Sequence, residues 1–231
     1  MPLFNDPTFL LLIPAFLLAL WAQSMVKSAY KKYSRMPTQK GIRAAEAVTR
    51  MLHDAGNHNV GLERVPGALT DHYNPKTEVL SLSEEVYNSS SVAAVAVAAH
   101  EAGHAMQKHE GYAPLGLRSA IVPVVNIGSS LSMPIFILGI VMSFQPLVWA
   151  GIVLFSLAVL FALITLPTEF NASSRAIRML TTSGIITTPE EERGAKAMLR
   201  AAAMTYVASA IGAMLQLLRL ILIAGNSRSR D

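Results

Sequence analysis

Four apolar stretches, each about as long as a membrane-crossing helix, constrain this chain more than any other feature. They cover residues 8–26, 119–144, 145–166 and 205–224. A helix of roughly 20 apolar residues crosses a hydrocarbon core of about 30 Å. The chain is also 52% hydrophobic and only 15% charged, which is more apolar than soluble domains usually are. We therefore expect a mainly α-helical membrane protein with three to four transmembrane helices.

The four stretches are not equivalent. Residues 8–26 and 145–166 are suited to span directly, and residues 1–26 lack the basic start of a cleavable signal, so we expect an uncleaved anchor. Residues 119–144 contain Pro123 and Pro134 and several serines, so this helix is expected to be kinked and to pack against protein. Arg219 lies near the end of the last stretch. It would either snorkel or lie at an interface, and whether residues 205–224 span fully stays open.

The distribution of charge predicts the orientation of the chain. Residues 27–50 carry seven Lys or Arg and one acidic residue, whereas only Asp6 is charged before the first apolar stretch. Basic residues next to a span favour the cytoplasmic side. The expected divisions are an anchor at 1–26, a cytoplasmic segment at 27–118, a transmembrane hairpin at 119–166, a second cytoplasmic segment at 167–204, and an apolar helix with a basic tail at 205–231. The basic tail argues against a full fourth span. We expect a multi-pass protein of the bacterial inner (cell) membrane.

The larger cytoplasmic segment has the pattern of a small α+β domain. "GIRAAEAVTRMLHDAG" predicts an amphipathic helix that stops at a glycine, and "VGLERV" predicts a short strand. "ALTDHYNPKTEVLSLS" predicts two strands joined by an Asn-Pro turn. Its second half, "TEVLSLS", fits an edge strand that pairs with an extended substrate or an ordinary core strand equally well. "SVAAVAVAAHEAGHAMQK" predicts a helix rich in alanine.

This alanine-rich helix carries the chemistry. His100 and His104 are four residues apart, so both imidazoles point from one face and can bind one zinc ion. Glu101 stands beside them, where it can act as general base toward water that zinc activates. This is the H-E-x-x-H arrangement of metalloproteases. The alternative is a surface helix with two histidines, but ionisable side chains among Ala and Val are costly unless they are paired or coordinated.

A catalytic zinc needs a third protein ligand. The chain has no cysteine, and in the longer motif H-E-x-x-H-x-x-G-x-x-H its Gln107 replaces the glycine and its Glu110 replaces the third histidine. His109 is one residue out of place. Glu169, in "LPTEFNASSRA", is the better candidate because it follows the third apolar stretch at the cytoplasmic side. A carboxylate at the mouth of a membrane helix is more often an interfacial residue, but the need for a third ligand favours Glu169.

The chain resembles the bacterial membrane-bound neutral zinc metallopeptidases of the YugP type. The resemblance rests on "GALTDHYNP", "SVAAVAVAAHEAGHAMQ", "LPTEFNASSRA" and "AAAMTYVASAIGAMLQLLRL", in matching order over nearly the whole chain. More distantly, it is similar to the HtpX-like and CAAX prenyl membrane proteases. The resemblance implies Zn²⁺ as cofactor, a zincin-like domain of gluzincin type, and His100, His104 and Glu169 as its ligands with Glu101 as base.

Other residues are candidates for supporting roles. In the distant relatives an Asp follows the third ligand by four residues, and Ser173 stands there in this chain, so zinc-bound histidines need support from elsewhere, for which Asp71 is one candidate. His72, with its neighbour Tyr73, and Arg175 are candidates to stabilise a developing oxyanion. For these the alternatives are a structural turn and a solvated or lipid-contacting charge.

The sequence thus predicts a zinc metalloendopeptidase whose partners are the lipid bilayer and a protein or peptide substrate associated with the membrane. It contains no phosphate-binding glycine loop and no basic-aromatic interleaving, so we expect no nucleic-acid partner. The alternatives are a zinc-binding scaffold or chaperone-like partner without proteolysis, and a metal transporter. A transporter would carry ligands in the middle of several spans, which is not where these residues lie. The oligomeric state stays open.

Overall fold

The computed structural model describes residues 7–228. Asp6 and the start of the predicted anchor, together with the last three residues of the basic tail, lie outside this range. The elements follow the order of the chain: a 3₁₀ turn (Pro7–Leu11), α1 (Leu12–Tyr33), α2 (Ala44–Asp54), β1 (Gly61–Val65), β2 (His72–Asn74), β3 (Val79–Ser83), α3 (Glu84–Tyr87), α4 (Val92–His109), α5 (Ala113–Val141), α6 (Gln145–Thr182) and α7 (Pro189–Arg228).

The fold is mainly α-helical with a small α+β region, as the sequence predicts. Four helical segments are long and apolar enough to cross a membrane: Pro7–Tyr33, Ala113–Val141, Gln145–Thr182 and Pro189–Gly225. The last of them contains residues 205–224 within one continuous helix. By length and composition, this helix is suited to span fully.

Two helices extend beyond the apolar stretches. α1 continues through the basic residues to Tyr33, and α6 continues past Leu166 to Thr182 despite Pro167. The second extension carries one continuous helix across the expected boundary at residue 167. The polar part of α6 stays helical because one of its faces is buried, with Ala172, Ala176 and Leu180 fully inside the protein.

The chain divides into two compact units. The first comprises Met1–Trp21, Leu117–Leu166 and Thr205–Asp231. A small core of Phe136, Val148, Ile152, Leu220 and Ala224 holds its helices together. Outside this core, large apolar side chains remain exposed, including Phe16, Leu138, Val153 and Leu160. Soluble proteins rarely expose so much apolar surface, which is typical of helices that face lipid.

The second unit comprises Ala22–Gly116 and Pro167–Met204 and contains a three-stranded sheet. β3 lies in the middle, parallel to β1 and antiparallel to β2. The interpretation of "TEVLSLS" as an edge strand is therefore wrong, and its interpretation as a core strand is confirmed. The alternating serines are misleading because Ser81 and Ser83 are buried as well as Leu80 and Leu82, with the Ser81 hydroxyl donating to the Glu63 carboxylate across the sheet.

α4 lies at the centre of the second unit. Its alanines are buried on every side, from Ala93 to Ala105, and a helix that is apolar all round is one that other elements enclose. The Ser91 hydroxyl caps its first turn by accepting from the Ala94 N–H at 3.2 Å. α2 packs in the same core through Ala45, Val48, Met51 and Leu52, the face predicted from its periodicity. Gly56, with φ +76°, ends that helix as expected.

Candidate metal centre

His100 and His104 lie one turn apart on α4, with ring centroids 4.8 Å apart. Both are largely buried, because the apolar helix surface around them packs against the rest of the unit. Their Nε2 atoms are directed toward the same carboxylate, that of Glu169 on α6. Residues four apart lie on the same face of a helix, so this spacing brings the two imidazoles to one point.

Glu169 completes the group from a distant part of the chain. One carboxylate oxygen, Oε2, lies 3.1 Å from His100 Nε2 and 3.5 Å from His104 Nε2. The residue is 1% exposed, and a carboxylate so buried is costly unless it is paired or coordinates a metal. One nitrogen or oxygen from each of the three residues lies within 4.8 Å of the others. Two imidazole nitrogens and a carboxylate oxygen are the donors that zinc takes in many catalytic sites, so the residues fit the ion.

A glycine allows α4 and α6 to pack in close contact. Gly103 lies between the two histidines, and a Cβ built on it would be 2.5 Å from the backbone oxygen of Ala172 on α6. No side chain fits there. The close approach of α4 and α6 brings Glu169 to the histidine pair.

The second nitrogen of each ring also has a partner. His100 Nδ1 lies 3.1 Å from the Ser173 hydroxyl, and His104 Nδ1 lies 2.9 Å from Oε1 of Gln107. The sequence motif gives Gln107 no role at the site, so this contact was not predicted. The signal was present in the spacing, because a residue three positions after His104 shares its helix face.

The carboxylates change the proton affinity of His104. Burial alone would lower the pKa of its imidazole, but the hydrogen bond to Glu169 and the charges of Glu101 and Glu169 raise it above its ordinary value. Glu101 itself is half-buried on α4, directly after His100. The carboxylates therefore make this a site that favours positive charge, which is what a cation needs.

The remaining candidate residues have other contacts. Asp71 accepts hydrogen bonds from the Ser83 N–H at 2.8 Å and from the Ser83 hydroxyl, so the hydrogen bonds described for it hold the β3 strand end rather than a histidine. Burial raises the pKa of its carboxyl although the Ser83 bonds oppose this. His72 is exposed on β2, with Nδ1 2.9 Å from the carbonyl oxygen of Thr70. Burial raises the pKa of neighbouring Tyr73 to about 12, so its phenol stays protonated at neutral pH.

Arg175 lies one turn after Asn171 on α6. Its Nε donates to Asn171 Oδ1 at 2.7 Å, and its Nη1 donates to the Glu110 carboxylate at 2.6 Å. The guanidinium also lies over the ring of Tyr112, 5.8 Å from its centroid. His109, the sequence alternative for a third ligand, is exposed at the end of α4.

Comparison with known proteins identifies a family of zinc metallopeptidases. A family model described as "Putative neutral zinc metallopeptidase" matches residues 8–225. A curated relative, "Putative membrane protease YugP" of Bacillus subtilis (strain 168), is 45% identical over 221 residues, which are 96% of this chain and 98% of the relative. No solved structure matches the chain.

Proposed function

The chain belongs to the family described as "Putative neutral zinc metallopeptidase", and we propose that it hydrolyses peptide bonds at a zinc ion held by His100, His104 and Glu169. The observation that carries the proposal is the convergence of these three side chains on one point, from α4 and α6, with their ligand atoms within 4.8 Å of one another. The family implies Zn²⁺ as the cofactor, and the donor set suits that ion.

The proposed chemistry needs the three metal ligands and one general base. A bound zinc ion supplies Lewis-acid chemistry, activating water and polarising the scissile carbonyl. Glu101 is assigned the proton transfers: its carboxylate takes a proton from the attacking water and passes it to the nitrogen of the leaving amine. Glu101 precedes His104 by three residues on α4, so the two side chains are neighbours on the helix surface. This supports the role, since the base must lie within hydrogen-bond reach of the water.

The substrate is proposed to be a protein or peptide associated with the membrane, cleaved on the cytoplasmic side of the bacterial inner membrane. Two observations support this. Four helical segments are long and apolar enough to span, and the lysines and arginines that follow the first apolar stretch favour the cytoplasm for residues 27–118.

The test is Glu101→Gln. The amide keeps the size of the side chain but cannot accept the proton, so cleavage of an unfolded protein such as casein is expected to fall about 10²–10⁴-fold. Zinc content and thermal unfolding should match those of the parent. Glu46→Gln, a change of the same type at an exposed position of α2, is the matched control and should cleave as the parent does.

The same experiment distinguishes a peptidase from the alternative, a zinc-binding scaffold or chaperone-like partner. Undiminished cleavage by Glu101→Gln would refute the role of Glu101. A zinc-loaded parent protein that cleaves no unfolded or membrane-associated substrate would favour the scaffold.

A further inference from the structure

We propose that Gln107 is a positioning residue that holds His104 in the tautomer with its proton on Nδ1, so that Nε2 is left free to bind the metal. The proposal rests on the zinc site of the proposed function. It adds a residue to which neither the sequence motif nor the relatives' names give a role.

The side-chain amide of Gln107 is fully buried and all three of its contacts are short. Oε1 lies 2.9 Å from His104 Nδ1. Nε2 lies 2.8 Å from the carbonyl oxygen of Thr168 and 2.9 Å from Oδ1 of Asn171. The two N–H groups of the amide thus each have an acceptor, and its oxygen has a donor. Because Gln107 is 0% exposed, an amide turned the wrong way would leave buried polar groups unpaired, at considerable cost.

The orientation of the amide follows from partners whose roles are invariant. A backbone carbonyl oxygen can only accept a hydrogen bond, so the atom of Gln107 that faces Thr168 must be the nitrogen. An arginine can only donate, so the atom of Asn171 that faces Arg175 must be Oδ1, and this oxygen accepts from Gln107 as well. Both constraints agree. If the amide turned over, its oxygen would face two other oxygens and its NH₂ would face the imidazole.

With the amide fixed, the imidazole has one choice. Oε1 is an acceptor, so His104 Nδ1 must carry a proton and donate it. In the neutral ring the lone pair then lies on Nε2, the nitrogen directed toward Glu169. Ser173 cannot do the same for His100, because a hydroxyl can donate or accept and is satisfied by either tautomer. The contacts therefore fix the tautomer of one ligand only, His104. The series of hydrogen bonds runs from His104 through Gln107 and Asn171 to Arg175. Arg175 is in turn held by its ion pair with Glu110.

The first experiment measures the zinc affinity of detergent-purified full-length protein by competition with a chelating indicator. Gln107→Met keeps a long unbranched side chain but removes both hydrogen-bonding roles. We expect its zinc affinity to fall about 10–100-fold, the usual effect of losing such a partner. Gln23→Met, the same change at an exposed position of α1, is the matched control and should bind zinc as the parent does. Unchanged affinity in Gln107→Met would overturn the proposal.

The second measurement reads the tautomer of His104 in the parent protein itself. In the zinc-loaded parent protein, labelled with ¹⁵N at histidine, two-bond ¹H–¹⁵N correlation spectra report which ring nitrogen carries the proton. His104, assigned by the signal missing from a His104→Gln sample, should show a proton on Nδ1. A proton on Nε2, or zinc bound through Nδ1, would overturn the proposal. Neither measurement uses proteolysis, so a protein that cleaves nothing would refute the proposed function and leave this inference standing.

Discussion

Glu169 is the residue on which the proposed metal centre depends most. Its side chain is 2% exposed and lies between two imidazole nitrogens, so it has no access to bulk water that would compensate its charge. We predict that Glu169→Ala leaves a two-histidine site that no longer retains zinc through purification. Metal analysis of the purified protein should show about one zinc per chain in the parent and little in the variant.

Two comparisons make this metal analysis decisive. Glu46→Ala, at an exposed glutamate of α2, should keep the parent's zinc. Glu169→Gln should also lose most of its zinc, because an amide carries no charge to balance the cation even though its shape is unchanged. Full zinc occupancy in Glu169→Ala would show that the third ligand is another residue.

The residues of the centre differed in how far the sequence revealed them. The spacing of His100 and His104 within an apolar run is sufficient to predict that both rings share a face. Glu169 required an argument about topology and about the number of ligands that zinc needs. Gln107 was missed, because an amide becomes informative only when its three partners are known, and two of them, Thr168 and Asn171, come from a helix 61 or more positions away.

At the scale of the elements, the contact between α4 and α6 leaves no room for a larger side chain at Gly103. A Cβ at Gly103 would lie 2.5 Å from the Ala172 oxygen, well inside the closest normal contact. Gly103→Ala should therefore push the two helices apart and move Glu169 away from the histidines. We predict a stability loss of about 1–3 kcal/mol, typical of overpacking, together with weaker zinc binding. Thermal unfolding with and without added zinc measures both effects.

Gly116 offers a matched control for that substitution. It lies in the helix α5, and a Cβ built on it meets nothing within 4 Å. Gly116→Ala should leave zinc binding unchanged and should hold or raise the unfolding temperature, since alanine favours a helix over glycine by about 1 kcal/mol. Equal behaviour of the two variants would mean that the close helix contact does not position the site.

The sheet shows where patterns of single elements mislead. β3 alternates leucine with serine, which in an isolated strand indicates one buried and one exposed face. In the structure both faces are buried, and Ser83 and Ser81 are satisfied by Asp71 and Glu63. The alternation could not reveal this, because the partners that make a buried serine acceptable lie in other parts of the chain.

At the scale of the whole molecule, the four long helices lead to a prediction about sidedness. The chain has no cysteine, so single cysteines can report the side of the membrane without background. Lys76→Cys and Ser143→Cys both introduce the thiol at exposed positions, in the β2–β3 turn and the α5–α6 turn. We expect a membrane-impermeant maleimide to label Ser143→Cys in sealed bacterial spheroplasts and to label Lys76→Cys only after permeabilisation.

The cysteine-free parent is the control for background labelling, and both variants should react fully in detergent. Labelling of Lys76→Cys in sealed spheroplasts would place residues 27–118 outside and reverse the proposed orientation. Labelling of both variants only after permeabilisation would contradict the predicted hairpin at residues 119–166.

The sequence by itself determined the membrane character of this protein and the helical face that presents two histidines. These are local properties, because apolar length and helical period depend only on residues that are neighbours along the chain. Tertiary structure decided the rest: that Glu169 reaches the histidine pair, that a glycine permits it, and that Gln107 orients one of the rings. Such contacts join residues far apart in the chain, and they form only when the packing of α4 on α6 brings those residues within hydrogen-bonding distance.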